Sequence, residues 1–171
     1  TLYPFMGISI ISIYISFESI GITRDDLTLV FTRKMAFEII QTHIVNNRSF
    51  VITMFDMDNL KHLNDQYGHI VGDAALVHFV EELQRVFNKN DILARIGGDE
   101  FILICRDFKV ATIDAIIKEV KLSFIYQEKT FDYSFSFGSV LRQTDDNLSV
   151  DELITLADKN MYKMKNYKRL D

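Results

Sequence analysis

The order of helical and strand patterns is the sequence feature that most restricts the fold of this chain. Four segments carry apolar side chains at the three- and four-residue steps of a buried helix face, and four short apolar segments have the length of buried strands. Helices are predicted over residues 32–45, 73–87, 110–126 and from 149 onward, and strands over 49–55, 91–96, 100–105 and 131–140. This order, αβαββαβα, predicts one α+β domain in which helices pack on a sheet.

Residues 1–23 form a separate apolar segment ahead of that domain. No charged residue occurs between positions 1 and 17, and serines recur there at three- and four-residue steps. The segment is either the end of a transmembrane or signalling helix or a buried helix that packs in a dimer. Arg24, Arg33 and Lys34 follow it and favour a cytoplasmic position for residues 24–171. We therefore expect a cytoplasmic domain tethered to the inner face of the cell membrane.

Composition excludes nucleic-acid binding and a disulfide framework. The chain has 19 basic and 24 acidic residues, a net charge of −5, whereas a surface that binds nucleic acid needs a basic face. We therefore expect no nucleic-acid partner. The single cysteine, Cys105, cannot form an internal disulfide and fits a reducing compartment.

Two pairs of acidic residues lie where predicted strands meet solvent. Asp56 and Asp58 directly follow the first strand, and Asp99 and Glu100 lie at the tip of a predicted hairpin. If strand and hairpin are neighbours, Asp56 and Asp99 converge and offer Mg²⁺ hard oxygen ligands. The preceding Gly97-Gly98 would let a triphosphate approach the backbone. Acidic residues and glycines are also common in ordinary turns, so spacing alone leaves both interpretations open.

Polar side chains elsewhere fit a nucleotide ligand, although each has a structural alternative. Asn64 and Asp73 offer an amide and a carboxylate to a base such as guanine, and Asp73 could also be a helix N-cap. Lys165 and Arg169 are four residues apart and therefore share one face of the last helix. They could contact phosphates or simply form a solvated basic helix end.

Three long motifs follow one another along the chain. They are DMDNLKHLNDQYGHIVGD at 56–73, ARIGGDEF at 94–101 and ADKNMYKMK at 157–165. With Asp25, Leu27, Thr28 and Arg33 ahead of them, they resemble the GGDEF family, the diguanylate cyclases of bacterial signalling. The resemblance covers about residues 25–169. It implies a fold similar to a polymerase palm, in which helices flank a central, mostly antiparallel sheet.

The resemblance also implies a reaction. Family members join two GTP molecules into cyclic di-GMP and release two pyrophosphates, and two protomers face each other, each holding one GTP. Asp56, the carbonyl of Met57, Asp99 and Glu100 would then hold two Mg²⁺ or Mn²⁺ ions per active site. Asp99 would also be the base for the 3′-hydroxyl, and Lys61 would bind phosphate and offset charge in the transition state.

The substrate contacts follow from the same resemblance. We expect GTP to be bound at its guanine by Asn64 and Asp73, and along its triphosphate by Gly97, Gly98, Lys165 and Arg169. The active species would be a homodimer.

Several positions depart from the family pattern. Leu29 stands where the family has glycine, Thr32 where it has asparagine, and Leu60 where it has phenylalanine; the terminal Gly-Arg-Asn is 168–170, Lys-Arg-Leu. Every expected metal and guanine ligand is nevertheless present. The alternative functions are a degenerate GGDEF module, which binds GTP or a protein partner and regulates without turnover, and a membrane-anchored dimerisation module.

The family's inhibitory product site is also altered. It requires Arg-x-x-Asp, and residues 88–91 are Asn-Lys-Asn-Asp. Because asparagine lacks the bidentate fork of arginine, we expect no feedback inhibition through these residues.

Overall fold

The computed structural model describes residues 23–106 and 109–168. Within these ranges the strands are β1 (Phe31–Thr32), β2 (Phe50–Asp58), β3 (Ile92–Arg95), β4 (Glu100–Cys105), β5 (Ser123–Tyr126), β6 (Lys129–Asp132) and β7 (Ser134–Arg142). The helices are α1 (Arg33–Val45), α2 (Leu60–Tyr67), α3 (His69–Val86), α4 (Val110–Ile117) and α5 (Val150–Lys168). The predicted apolar segment, apart from Thr23, lies outside the described residues, as do Arg169 and Leu170.

A five-stranded sheet forms the centre of the domain, in the order β1-β3-β4-β2-β7. β1 pairs with β3 in parallel, and every other pair in this sheet is antiparallel. β5 and β6 form a separate two-stranded hairpin. The α+β class and the mostly antiparallel central sheet are therefore confirmed. Within the described ranges, none of the helices combines the length and the apolar character needed to cross a bilayer.

Both faces of the sheet are covered by helices, so its central strands are apolar on both sides. Odd-numbered residues of β2 and β4 face α2, α3 and α4, whereas even-numbered residues face α1 and α5. The buried apolar residues on the odd side are Val51, Phe55, Met57, Phe101, Leu103 and Cys105, and those on the even side are Phe50, Ile52, Met54, Ile102 and Ile104. The same alternation puts Asp56, Asp58 and Glu100 on the side of α1 and α5.

The predicted helix over 110–126 is wrong in its C-terminal half. The helix there spans only Val110–Ile117, and the hairpin of β5 and β6 follows, turning at Gln127 and Glu128, which both have positive φ. Phe124 is buried and Ile125 is 75% exposed, which is the two-residue alternation of a strand. Apolar residues at a four-residue spacing occur in both patterns, and the aromatic and β-branched composition favoured the strand.

The predicted strand over 131–140 is two strands, β6 and β7, which Tyr133 separates. The Tyr133 N–H donates to the Leu122 carbonyl at 2.9 Å, and its hydroxyl donates to the Lys121 carbonyl at 2.7 Å. Tyr133 therefore anchors the small hairpin to the segment after α4.

The start of the last helix confirms the predicted capping box. The Ser149 N–H and hydroxyl donate to the Glu152 carboxylate at 2.9 and 2.8 Å, and the Glu152 N–H donates back to the hydroxyl at 3.3 Å. α5 then buries Leu153, Ala157 and Met161. Leu156, which the periodicity placed on the same face, is 40% exposed.

Gly138 allows α5 to lie directly against β7. A Cβ atom at this position would lie 2.1 Å from the Met161 nitrogen and 2.4 Å from the Ala157 oxygen. Both are backbone atoms of α5, so they could separate from a side chain only if the helix moved. The depth at which α5 packs, and the position of the lysines at its C-terminal end, therefore depend on glycine here.

We predict that Gly138→Ala lowers the free energy of unfolding by about 1–3 kcal/mol, because overpacking forces the helix and strand apart. Urea denaturation measures the change. Gly98→Ala is the matched control, because its added methyl would meet no atom of residues 23–106 and 109–168 within 4 Å. Equal stability of the Gly138→Ala protein and the wild type would contradict this account of the packing.

Leu29, which replaces the family's glycine, is held in the left-handed region with φ of 59°. Its N–H donates to the Asp25 carbonyl at 2.8 Å, and the Asp25 N–H donates to the Val30 carbonyl at 2.8 Å. These bonds form a tight turn ahead of β1. Left-handed backbone costs a residue with a Cβ about 1–2 kcal/mol. The Leu29 side chain is 68% exposed and offers little burial in return.

We predict that Leu29→Gly raises the free energy of unfolding by about 0.5–1 kcal/mol, since relief of the strain exceeds the entropy glycine adds to the unfolded chain. Thermal unfolding should show a higher midpoint. Leu29→Ala keeps a Cβ and should give no gain; a gain of the same size in both variants would refute backbone strain as the cause.

Candidate active site

The pairing of β2 with β4 brings the acidic residues together. β2 extends to Asp58, three residues beyond its predicted end, so Asp56 lies within the strand and opposite Glu100. The Met57 N–H donates to the Asp99 carbonyl at 3.0 Å, which joins the hairpin tip to the end of β2. The predicted convergence of Asp56 and Asp99 is thus confirmed.

The carboxylates at this strand end repel one another. Burial, and then the charges of Asp99 and Asp58, hold the pKa of Asp56 above its usual value, although a hydrogen bond from Lys165 opposes the rise. Burial, and then Asp99, Asp56 and Asp158, raise the pKa of Glu100. Partly buried carboxylates with incomplete compensation are typical of sites that receive a cation.

Two lysines of α5 lie against the aspartates of β2. Lys165 Nζ is 2.6 Å from Asp56 Oδ1, and Lys168 Nζ is 3.0 Å from Asp58 Oδ2. Ser134 and Ser136 donate to Asp58 at 2.9 and 2.8 Å. Burial alone would raise the pKa of Asp58, but these hydrogen bonds outweigh it and hold that pKa below its usual value. Asp58 therefore accepts three hydrogen bonds from the protein, in contrast to Asp56, which accepts one from Lys165.

The hairpin tip is fixed from behind by an arginine. Arg95 donates to the Gly98 carbonyl at 2.7 Å and to Asp25 Oδ1 at 3.1 Å, so it bonds the tip to the segment that enters the domain. Neither Gly97 nor Gly98 has positive φ. A Cβ on Gly97 would lie 2.4 Å from Glu100 Oε2, which is the end of a flexible side chain and could move, whereas a Cβ on Gly98 would meet no atom of the described residues within 4 Å.

The predicted guanine-binding residues lie at the corner between α2 and α3. Gly68, with φ of 88°, ends α2 and caps α3, so the segment 64–73 is helix, corner and helix instead of a loop. Asp73 lies inside α3 and is not its N-cap. Asn64 Oδ1 is buried without a hydrogen-bond partner among the described residues. A Cβ on Gly72 would lie 1.8 Å from that oxygen, so glycine leaves room for the amide.

The remaining predicted residues make no described contact with the acidic residues at the end of β2. Lys61 is exposed on α2, and the described part of the chain gives it no hydrogen bond or ion pair with the acidic residues. Leu60 is buried at the start of α2 and packs in the core. In the altered product site, Asp91 accepts a hydrogen bond from the Asn88 N–H at 2.9 Å. The Asp91 carboxylate therefore stabilises the turn over residues 88–91.

The sequence motifs did not reveal the roles of Asp25, Arg95 and Lys168. The partner of Arg95 lies 70 residues away in the chain, which local spacing cannot indicate. Lys168 follows Lys165 by three residues, so helical spacing placed it on the same face, but its partner Asp58 is identified only by the packing of α5.

The donor set at the end of β2 fits a divalent cation that also binds a phosphate substrate. No group of three or more His, Cys, Asp or Glu side chains within residues 23–106 and 109–168 could enclose a metal ion. Mg²⁺ in phosphoryl-transfer sites is commonly held by one or two carboxylates and by the substrate phosphates instead of a complete protein cage. Asp56, Asp99 and the Met57 carbonyl offer such a partial set of oxygen donors.

Comparison with known proteins gives the family and the fold. A family model described as "Diguanylate cyclase, GGDEF domain" matches residues 22–170. The chain is 26% identical over 147 residues to diguanylate cyclase DgcM of Escherichia coli K12, covering 84% of this chain and 36% of DgcM. It is 36% identical over 121 residues to signaling protein YkoW of Bacillus subtilis, covering 67% of this chain and 15% of YkoW. The chain thus spans little more than a third of DgcM and less of YkoW.

A solved structure has the same fold at low sequence identity. The coiled coil and GGDEF domain of DgcB from Caulobacter crescentus, in complex with c-di-GMP, superposes with a TM-score of 0.83 and 19% identity. The match covers 95% of this chain and 91% of that one.

We predict that Glu100→Gln raises the thermal midpoint of the metal-free protein, because it removes, without changing shape, a charge that is disfavoured first by burial and then by the neighbouring carboxylates. Each kcal/mol gained should appear as about 2–4 °C. Mg²⁺ should raise the midpoint of the wild type more than that of the variant. Glu81→Gln, at an exposed position of α3, is the control. A lower midpoint of Glu100→Gln would show that the charge of Glu100 does not destabilise the metal-free protein.

Proposed function

The chain belongs to the GGDEF family, and on that basis we propose that it is a diguanylate cyclase. It would condense two GTP molecules into cyclic di-GMP and two pyrophosphates. In each half-reaction the 3′-hydroxyl of one GTP attacks the α-phosphorus of the other; the new P–O bond replaces the bond to pyrophosphate, and the hydroxyl proton is lost to a base.

One observation carries this proposal: Asp56, Asp99 and Glu100 converge at the end of β2, with Lys165 beside them. A site that moves a phosphoryl group needs anionic oxygens for a metal and cations for the phosphates in one place. Both kinds of group lie at this strand end.

Asp56, the Met57 carbonyl and Asp99 would hold Mg²⁺ or Mn²⁺, with Glu100 assisting, as two ions per active site. When bound, such ions stabilise negative charge on the phosphoryl oxygens and on the departing pyrophosphate. Asp99 lies at the hairpin tip next to the open backbone of Gly98, and it would accept the proton of the 3′-hydroxyl.

Basic residues would bind the triphosphate. Lys165 contacts Asp56 in the structure and would transfer that contact to phosphate oxygens when GTP binds. Lys61, exposed on α2, and Arg169 would complete the cationic side, and the backbone of Gly97 and Gly98 would border the phosphates. These contacts orient the α-phosphate and offset charge that develops during the reaction.

Guanine would be bound at the corner of α2 and α3. The unpartnered Oδ1 of Asn64 is an acceptor that needs a donor, and the exposed Asp73 carboxylate can accept from N1–H and N2–H₂ of guanine.

Because one protomer supplies one GTP, two protomers facing each other would be needed, and the active species would be a homodimer. Membrane attachment through residues 1–23 remains part of the proposal.

We predict that the chain converts GTP to cyclic di-GMP with Mg²⁺, and that Asp99→Asn lowers the rate by about a hundredfold or more while the protein stays folded. Chromatographic detection of the product, with circular dichroism for folding, makes the measurement. Asp132→Asn, at an exposed position of β6, is the control.

Two outcomes would contradict this assignment. Undiminished activity of Asp99→Asn would remove Asp99 from the reaction. Binding of GTP by the wild type without any cyclic di-GMP would favour the degenerate module that regulates without turnover.

We also predict that GTP binds about ten- to a hundredfold more tightly than ATP, because adenine has no N1–H or N2–H₂ to satisfy Asn64 and Asp73. Asp73→Ala should reduce that preference to near unity. Competition of GTP and ATP for the protein gives the ratio, and Asp65→Ala, at an exposed position of α2, is the control. Equal binding of GTP and ATP by the wild type would refute the guanine site.

A further inference from the structure

The outer edge of β7 is covered by side chains of α5. Among the described strands, β7 is an edge strand whose one neighbour is β2. Along its other edge, Asn160 Nδ2 donates to the Ser139 carbonyl at 3.1 Å. The Phe137 N–H donates to the sulfur of Met164 at 3.4 Å.

A third contact of the same kind comes from Lys168. Its ammonium group donates to the Phe135 carbonyl and also to Asp58 Oδ2 at 3.0 Å. The three helix residues are therefore spaced by four, and their strand partners, Ser139, Phe137 and Phe135, are spaced by two in the opposite direction.

This spacing matches the geometry of the two elements. Four residues of helix rise about 6.0 Å, and two residues of strand extend about 6.8 Å. Alternate residues of an edge strand direct their backbone groups outward, so each step along α5 meets the next free group. We call Asn160, Met164 and Lys168 the edge ladder; it attaches the helix to an edge that would otherwise be unpaired.

Lys168 is the last member of the edge ladder and lies next to the candidate phosphate-binding residues. The family resemblance predicts glycine at position 168, and glycine has no side chain to contact Phe135 or Asp58. Lys165, one helical turn earlier, contacts Asp56 at 2.6 Å. A helix end released at residue 168 would fray first through the turn that carries Lys165.

We infer that Lys168 is a positioning residue, which fixes the last turn of α5 against Asp58 and β7 and thereby keeps Lys165 directed at the triphosphate. This inference rests on the proposed function only for the identity of the ligand. The attachment itself follows from the contacts of Lys168 with Phe135 and Asp58.

The test uses the 171-residue chain and the variants Lys168→Met and Lys168→Arg. Lys159→Met is the matched control, since it removes the same charge from an exposed position of the same helix. The ligand is guanosine 5′-[α,β-methylene]triphosphate with Mg²⁺, which cannot release pyrophosphate, and its affinity is measured by calorimetry. Hydrogen exchange of residues 165–168 is measured without ligand.

Lys168→Met should accelerate hydrogen exchange in the last turn of α5. It should also lower the affinity for the triphosphate analogue about tenfold, which is the effect of losing one charge-assisted contact. Lys168→Arg, which keeps a cationic donor, should restore both values to within about twofold. Lys159→Met should change neither.

Unchanged exchange in Lys168→Met would overturn the attachment, and faster exchange with unchanged affinity would overturn the positioning role. If the wild type itself bound no analogue, the proposed function and the positioning role would both fail. The exchange measurement would still decide whether the edge ladder holds the helix, so the two failures are distinguishable.

Discussion

The register between β2 and β4 is the constraint on which the candidate site depends. Each apolar pair of these strands, from Val51 with Cys105 to Phe55 with Phe101, is buried between two helical layers. A slip by one residue would turn every side chain of a strand to the opposite face, and in β2 it would direct Asp56 and Asp58 into the apolar side that faces α2, α3 and α4. The next pair in the same register is Asp56 with Glu100. Core packing thus determines which acidic side chains meet.

Much of this arrangement was predictable because it depends on local patterns. The hairpin between β3 and β4, the start of α1 after Thr32 and the capping box at Ser149 are all formed as their sequences predict. The convergence of Asp56 and Asp99 also followed, once strand and hairpin were assumed to be neighbours. The roles of the individual side chains in catalysis and binding stay predictions.

The parts that could not be predicted depend on contacts between distant residues. The segment after α4 carries an apolar spacing common to helix and strand, and only the contact of Tyr133 with Lys121 and Leu122 identifies the hairpin. The helix–corner–helix at Gly68 was hidden by its polar composition. Likewise, the sequence does not distinguish Asp58 from Asp56, yet Asp58 accepts hydrogen bonds from Ser134, Ser136 and Lys168.

The edge ladder has a further geometric property. The side chains of the edge ladder become longer along α5, from asparagine through methionine to lysine. They do so as the helix runs from its contact with Gly138 of β7 towards its C-terminal end. The helical and strand repeats differ by about 0.8 Å per step, which accumulates to about 1.6 Å over two steps. Helix and strand are therefore in register where their backbones touch, and they lose register with distance from that contact. The length over which a helix can follow a strand edge is thus limited by the two backbone repeats, and longer side chains bridge the growing offset.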